Sequence, residues 1–494
     1  MSLLLGLDVS TTATKAVLVD GSGTVVGVGS SAYGLETPRP LWAEQDPNLW
    51  TEAAPRSIER ALEAAAMDAS AVEAVGLTGQ MHGLVLVDED GEPLRPAILW
   101  NDQRAAAECD EMRERLGLEH LVAITGNDAF PGFTAPKLLW VRNHEPEKYA
   151  RIHRVLLPKD YLRYFLTGEY ATDRAGAGGT LLLDLVSRDW SEELLDAFDL
   201  PAEWLPPTHE GTEVTGTVSS EAAELTGLRA GIPVVAGGGD QAAQAVGVGA
   251  VRNGVVALTL GTSGVVFASS ERPLIESRGR LHAFPHAVPG RWHVMGVMLS
   301  AAGSLAWYRD TFAPEIAYDD LMEGAAPIEP GCEGLTFLPY LSGERTPHAD
   351  PYARAAFVGM TLKHGRDHMT RAVLEGVAFG LRDNLALMGE VGLNAATEVR
   401  VSGGGAQSRL WRQILADVLG VDLVTTQTIE GAAYGAALLA GVGIGVWPSV
   451  DAACKACVRL GERTRPRREA VAGYGAAYES FGALYRALKP HFRS

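Results

Sequence analysis

Three short polar loops in this 494-residue sequence carry side chains suited to handling phosphate and a hydroxyl acceptor. The first runs from Asp8 through Ser10, Thr11 and Thr12 to Lys15. Backbone N–H groups in a Ser/Thr-rich turn can hold phosphate oxygens, and a carboxylate beside them can order Mg²⁺ directly or through water. The plainer reading is an aspartate that stabilises a turn, and the string alone does not decide. The second is Gly261-Thr262-Ser263-Gly264, which reads equally as a phosphate loop or as a simple β-hairpin. The third, Gly237-Gly238-Gly239-Asp240, is more telling. Three consecutive glycines weaken any strand or helix, so a close approach of backbone or ligand is expected there. Asp240 follows at the start of an apolar helix, as an N-cap or as a general base at the edge of a cleft. An ordinary aspartate, with a pKa of roughly 3.9, would orient an alcohol and accept its proton late. That suits phosphoryl transfer, where positioning and charge stabilisation supply most of the catalysis.

Further polar clusters follow apolar runs. Gln80-Met81-His82-Gly83 and Trp100-Asn101-Asp102 each end a predicted strand. Their side chains can converge on a polyol, with Trp and Met as apolar walls, or satisfy structural hydrogen bonds. Residues 399–408, VRVSGGGAQS, read as strand, glycine turn and helix. They half-match a dinucleotide fingerprint, with Ser408 where Gly or Ala is expected, and a ring or phosphate resting on the glycines is the stronger reading.

The elements that position these loops are those of an α/β protein. Apolar runs at 3–8 and 16–19 flank the first loop, and runs at 255–260 and 265–268 flank the second, about 250 residues away. Two such hairpins suggest two related domains presenting polar loops to a shared cleft. Strands are predicted at 24–28, 74–78, 84–88, 97–99, 232–236, 399–402 and 423–426. Helices are predicted at 50–66, 136–143, 159–167, 368–388, 409–419 and 474–488. The apolar stretch 431–447 falls short of the ~20 residues a membrane span needs and reads as a buried helix followed by a turn.

Length alone calls for two or three domains. Four cysteines make no disulfide framework, and the CKAC at 454–457 reads as two small residues one turn apart on a helix. The opening residues lack the basic and long apolar segments of a signal peptide, so a soluble, cytoplasmic protein is expected. Sixty-one acidic against 42 basic residues give a net charge of −19, which disfavours nucleic acid or an anionic membrane as partner. Glycine is in excess, at 56 residues, and collects in the loops.

Taken together the strings resemble the FGGY carbohydrate kinases, most closely those acting on D-xylulose. Family signatures are visible as GFTAPKLLWVRNH at 132–144 and AAFVGMTLKHGRDHMTRAVLE at 355–375. Alongside them stand WAEQDP, GQMHG, ILWNDQR, LPKDYLR, AGGGDQAA, LGTSG, LPYLSGERTPH and SGGGAQSRLWRQILADV, in order from residue 3 to about 450. The resemblance implies two actin-like (ribonuclease H-like) ATPase domains flanking a central cleft. Residues 1–247 would hold most of the sugar pocket and 248–494 the nucleotide site. It implies ATP as co-substrate and Mg²⁺ organised by Asp8, with Thr12 and Lys15 in the first phosphate loop. Gly261 and Thr262 would lie at the transferring phosphate, and Gly404, Gly405 and Ser408 near the nucleotide. Asp240 would be the base for the 5-hydroxyl of a ketose in pentose catabolism, with Gln80, Met81, His82, Asn101, Asp102 and Gln241 around the sugar. Two departures stand out: Ser10 occupies a usual glycine position, and Gln241 stands where some relatives have Asn. The rival readings are a kinase for ribulose, glycerol or gluconate and a non-catalytic nucleotide switch of the actin or chaperone-ATPase kind. A dehydrogenase is the weakest reading. Oligomeric state is not legible, and a homodimer is left open.

Overall fold

The computed structural model describes residues 2–427 and 430–492. Its N-terminal sheet contains Leu3–Val9 (β1), Ala13–Asp20 (β2), Val25–Ala32 (β3), Val72–Gly79 (β4), Val214–Thr217 (β5) and Pro233–Val235 (β6), in the order β5-β6-β4-β1-β2-β3. The two-residue strand Gly238–Gly239 also pairs with β4. The C-terminal sheet contains Val255–Leu260 (β7), Gly264–Ser270 (β8), His282–Pro285 (β9), Trp292–Met298 (β10), Glu398–Ser402 (β11), Asp422–Thr426 (β12) and Leu460–Thr464 (β13). Its order is β9-β10-β8-β7-β11-β12-β13.

One pattern recurs in both sheets. A hairpin, β1-β2 or β7-β8, is extended antiparallel by β3 or β10. On its other side the first strand pairs in parallel with β4 or β11, and that strand with β6 or β12. The two hairpins expected from the sequence are therefore equivalent parts of two like halves. Each hairpin turn projects from the end of a buried central strand, where rigid neighbours fix it.

The helices used below are Asn48–Ala65 (α1), Thr134–His144 (α2), Asp240–Gly247 (α3), Ala302–Phe312 (α4), Arg409–Leu419 (α5), Gly431–Gly443 (α6) and Val450–Cys457 (α7). The amphipathic α1 buries Trp50, Ala54 and Ile58 into the core on one face of the N-terminal sheet. The opposite face is covered by α6, which follows the C-terminal sheet's β12 in the chain. Its small residues permit unusually close packing: a Cβ on Gly6 would lie 1.9 Å from Ala433 O, and one on Gly76 1.9 Å from Ala436 O. Helix α3, which follows the N-terminal sheet, reaches the other way, and Gln244 Nε2 donates to Thr259 Oγ1 (3.1 Å) and Ser402 Oγ (3.2 Å) of the C-terminal sheet. The halves thus exchange helices across their junction, and α3 and α6 cross there with Gly435 against Ala243 O.

Cys454 and Cys457 are buried free thiols on α7, as the helical composition of CKAC suggests. Within the basic stretch 463–468, Arg463 lies in β13 and pairs with Asp422 and Glu398, while Arg467 pairs with Asp417. Among the described residues no helix is long and apolar enough to cross a membrane.

Candidate active site

At the tip of the first hairpin, Ser10 closes the turn, its hydroxyl donating to Ala13 O at 2.8 Å. Ser10 is absent from the residues with positive φ, so the substitution for glycine needs no special backbone. Thr12 is exposed at the tip. Lys15 departs from expectation: it lies within β2 directly opposite Asp8, and its ammonium pairs with Glu430 Oε2 at 2.6 Å. A lysine so engaged is no free phosphate ligand, and in this arrangement it offsets the charge of Asp8 and Glu430.

Asp240 opens α3, but its carboxylate does not cap the helix in the usual way; Oδ1 accepts the neighbouring Gln241 N–H, at 2.8 Å. Burial pushes its pKa up to about 6, against the lowering effect of that N–H. Asp8 is pushed up to about 7, chiefly by burial and then by the charge of Asp240, with Lys15 opposing. Asp8 Oδ1 is buried without a hydrogen-bond partner. Two buried carboxylates with raised pKa values, the charge of Asp240 adding to the cost of ionising Asp8, are the arrangement in which a cation or a proton is favoured.

Asp240 and Gln241 line a cavity of about 170 Å³ together with Met81, His82, Trp100 and Ser263. His82 holds an uncommon backbone conformation for a non-glycine residue, φ 71°. Its carbonyl is clamped by Lys137 Nζ (2.8 Å) and Thr134 Oγ1 (2.9 Å) from α2. Its ring Nδ1 lies 2.6 Å from Gly179 O. A carbonyl can only accept, so Nδ1 carries the proton and Nε2 is left as an acceptor. Burial pushes the His82 pKa down to about 3, which keeps the ring neutral.

Three of the expected sugar residues are placed elsewhere. Gln80 is buried against Gln45 and Thr11 and supports the first hairpin. Asp102 is fully buried, accepting from Ala43 N–H and from the Arg104 guanidinium. It belongs to an ion-pair network with Glu44 and Arg95, because a buried carboxylate needs a partner more than a solvated one does. Asn101, with Oδ1 buried and unpartnered, follows Trp100 but does not line the cavity.

A larger cavity, about 1210 Å³, is lined by Gly261, Thr262, Gly404, Gly405 and Ser408, the nucleotide residues expected from sequence. A Cβ on Gly404 would meet nothing within 4 Å, so this backbone presents an open face to the cavity, whereas Gly405 is pressed against Leu260 and Trp411. Ser408 also caps α5, accepting from Trp411 N–H at 3.2 Å. The start of α4 is docked on the hairpin turn through Ala301 N–H to Thr262 O (2.8 Å) and Ala302 N–H to Gly261 O (2.8 Å).

The two cavities meet at this hairpin: Gly261 and Thr262 face the large one, Ser263 and Val265 the small one. Residues not singled out from the sequence include Phe130, Phe133, Met295 and Arg345 in the small cavity and Tyr318 and Met322 in the large one. Phe133 and Arg345 lie within quoted signature strings; the others sit in segments with no distinguishing pattern.

Two equivalent α/β halves with a donor-sized and an acceptor-sized cavity on either side of one glycine hairpin define a two-domain phosphotransferase architecture. The N-terminal domain of the FGGY family of carbohydrate kinases matches residues 3–247, and the C-terminal domain matches 256–444. The chain belongs to the FGGY family of carbohydrate kinases. It is similar to the xylulose kinase of Escherichia coli (strain K12), 43% identical with 99% of each chain covered. It is also similar to that of Lactococcus lactis, 39% identical with 98% of this chain and 97% of the relative covered. The crystal structure of xylulose kinase from Rhodospirillum rubrum superposes with a TM-score of 0.94 at 35% identity, covering all of both chains. Gluconate kinase from Lactobacillus acidophilus has the same TM-score at 28% identity, covering 99% of this chain and 98% of that one. The two actin-like (ribonuclease H-like) domains implied by the resemblance are the fold of this family, and the paired hairpins are their equivalent parts.

Proposed function

We propose that the protein transfers the γ-phosphoryl group of ATP to the 5-hydroxyl of D-xylulose, giving D-xylulose 5-phosphate and ADP. The observation that carries this reading is the shared hairpin, with Asp240 in the cavity on the acceptor side. The near-full-length likeness to proteins named xylulose kinase supports the choice of sugar.

Asp240 accepts a hydrogen bond from the 5-hydroxyl and takes its proton as the new O–P bond forms and the bond to the β-phosphate bridging oxygen breaks. A pKa of about 6 leaves it mostly ionised at neutral pH yet more basic than an ordinary aspartate. His82 Nε2 and the Gln241 amide offer hydrogen bonds to other hydroxyls, and Met81, Trp100 and Phe133 wall off water. Gly404 gives the nucleotide a flat resting surface, while the hairpin backbone at Gly261 and Thr262 approaches the transferring phosphate.

The unpartnered Oδ1 of Asp8 fits a divalent cation. Among the described residues no cluster of three or more His, Cys, Asp or Glu side chains could hold a metal, so Asp8 would share Mg²⁺ with phosphate oxygens and water. When bound, Mg²⁺ neutralises charge on the phosphates being separated.

The test is an ADP-release assay across D-xylulose, D-ribulose, glycerol and D-gluconate with Mg²⁺ present. D-Xylulose is expected to give the highest kcat/KM. Faster turnover of any other acceptor would move the assignment to that substrate.

A further inference from the structure

The small cavity holds one charged group that the chemistry above does not use. Arg345 lines it from the C-terminal half, and among the described residues lining the cavity it is the only positively charged side chain. Its backbone is fixed: the next residue, Thr346, donates from N–H to Val297 O (3.0 Å) and accepts Val297 N–H on Oγ1 (3.1 Å). Its guanidinium lies over the Phe130 ring, 5.2 Å from the centroid. Among the described residues, no hydrogen bond or ion pair takes up its guanidinium N–H groups.

The adjacent carboxylate does not neutralise it. Glu344 accepts the N–H groups of Leu299 (2.9 Å) and of Arg345 itself (2.8 Å), and makes no ion pair with the guanidinium. Burial pushes Glu344 up to about 8 against the lowering charge of Arg345, which makes it a weak counter-ion for the guanidinium. A half-buried guanidinium with five donors and no acceptor is costly unless a ligand supplies one.

We propose that Arg345 binds the C1–C2 end of the acceptor, its fork donating to the C1 hydroxyl and the C2 carbonyl oxygen, and so selects a ketose over the corresponding polyol. This rests on the D-xylulose reading and deepens it. With the 5-hydroxyl at Asp240, beside Asp8, the sugar's other end must lie elsewhere in the cavity. Arg345 lies over Phe130, whose ring packs against His282 (centroids 5.7 Å) and Phe133 (6.1 Å), and Phe133 in turn abuts His82 (4.6 Å). An α-hydroxyketone can place its two oxygens in one plane, matching two parallel N–H bonds of a guanidinium. Reduction to a tetrahedral C2 carbon turns one oxygen out of that plane.

The test compares wild type with Arg345→Met and Arg345→Lys, measuring kcat and KM for D-xylulose, KM for ATP, and inhibition constants for D-arabitol and xylitol, the two C2-reduced forms. Removing charged hydrogen bonds to a buried ligand is expected to raise the D-xylulose KM about tenfold to a hundredfold. The KM for ATP and the pentitol inhibition constants should change less than about threefold. Arg345→Lys keeps the charge without the fork, so it should show the same loss of ketose preference in milder form, and it decides the matter if Arg345→Met does not fold. An unchanged D-xylulose KM, or equal weakening of ketose and pentitols, would overturn the proposal while leaving the kinase assignment intact. A wild-type enzyme indifferent to D-xylulose would overturn both.

Discussion

Asp240 combines three properties that each follow from its place in the chain. The glycines before it let the strand end approach β4, the start of α3 turns its carboxylate into the cavity, and burial beside Asp8 raises its basicity. Asp240→Asn keeps the shape and removes the base, so kcat is expected to fall roughly a hundredfold to ten-thousandfold, with the thermal unfolding midpoint retained. An unaltered kcat in a folded variant would remove Asp240 from the chemistry. The pH dependence has a definite sign. A proton on Asp240 blocks acceptance from the hydroxyl, so kcat/KM should rise with pH up to about 6 and level off above it. A rate–pH profile that falls over that interval would contradict the assignment. At this scale the sequence exposed residues carrying both a loop position and a chemical reason: Asp8, Met81, His82, Asp240, Gln241 and the glycines. It did not separate them from Asp102, whose burial depends on Arg104 and on Ala43 N–H arriving from 59 residues earlier in the chain. Lys15 could not be resolved either, since Glu430 is 415 residues away in the chain.

The elements divide the work between support and contact. Gly435 on α6 and Gly404 after β11 are both glycines, yet the structure gives them opposite roles. A Cβ on Gly435 would lie 1.9 Å from Ala243 O, pressing α6 away from the helix that carries Asp240. Gly435→Ala is expected to cost about 1–3 kcal/mol of stability and to lower kcat with it, measured by chemical denaturation and by turnover. Gly404→Ala meets no protein atom within 4 Å, so stability should hold to within about 0.5 kcal/mol while the KM for ATP rises several-fold. The reverse pattern would mean that the nucleotide does not rest on Gly404. Element identity was readable because the patterns are strong: 3.6-residue periodicity in α1, and apolar strands interrupted by glycine loops. What pattern could not show was partnership. That α6 covers the N-terminal sheet is set by Gly6 and Gly76, which in sequence look like any strand glycines.

Over the whole molecule, a net charge of −19 coexists with a nucleotide site because phosphate binding here is local. On the proposed reading it would rest on hairpin backbone and on a cation at Asp8, neither of which requires a basic surface. Two arginines of the 463–468 run, Arg463 and Arg467, are paired with acidic neighbours. Because the sugar cavity takes Asp240, His82 and Trp100 from one half and Ser263, Met295 and Arg345 from the other, ligand should draw the halves together. Small-angle scattering with D-xylulose and a non-hydrolysable ATP analogue is expected to lower the radius of gyration by roughly 1 Å, from about 23 Å for a compact chain of this length. No change would argue against closure.

The central claim is phosphoryl transfer to a sugar rather than to water, and identifying the phosphorylated product reads it most directly. Phosphorus NMR of wild-type protein with ATP, Mg²⁺ and D-xylulose should show D-xylulose 5-phosphate and ADP accumulating in equal amounts, with ATP nearly untouched when the sugar is left out. Inorganic phosphate released at the same slow rate with or without sugar would contradict it and identify a nucleotide switch instead.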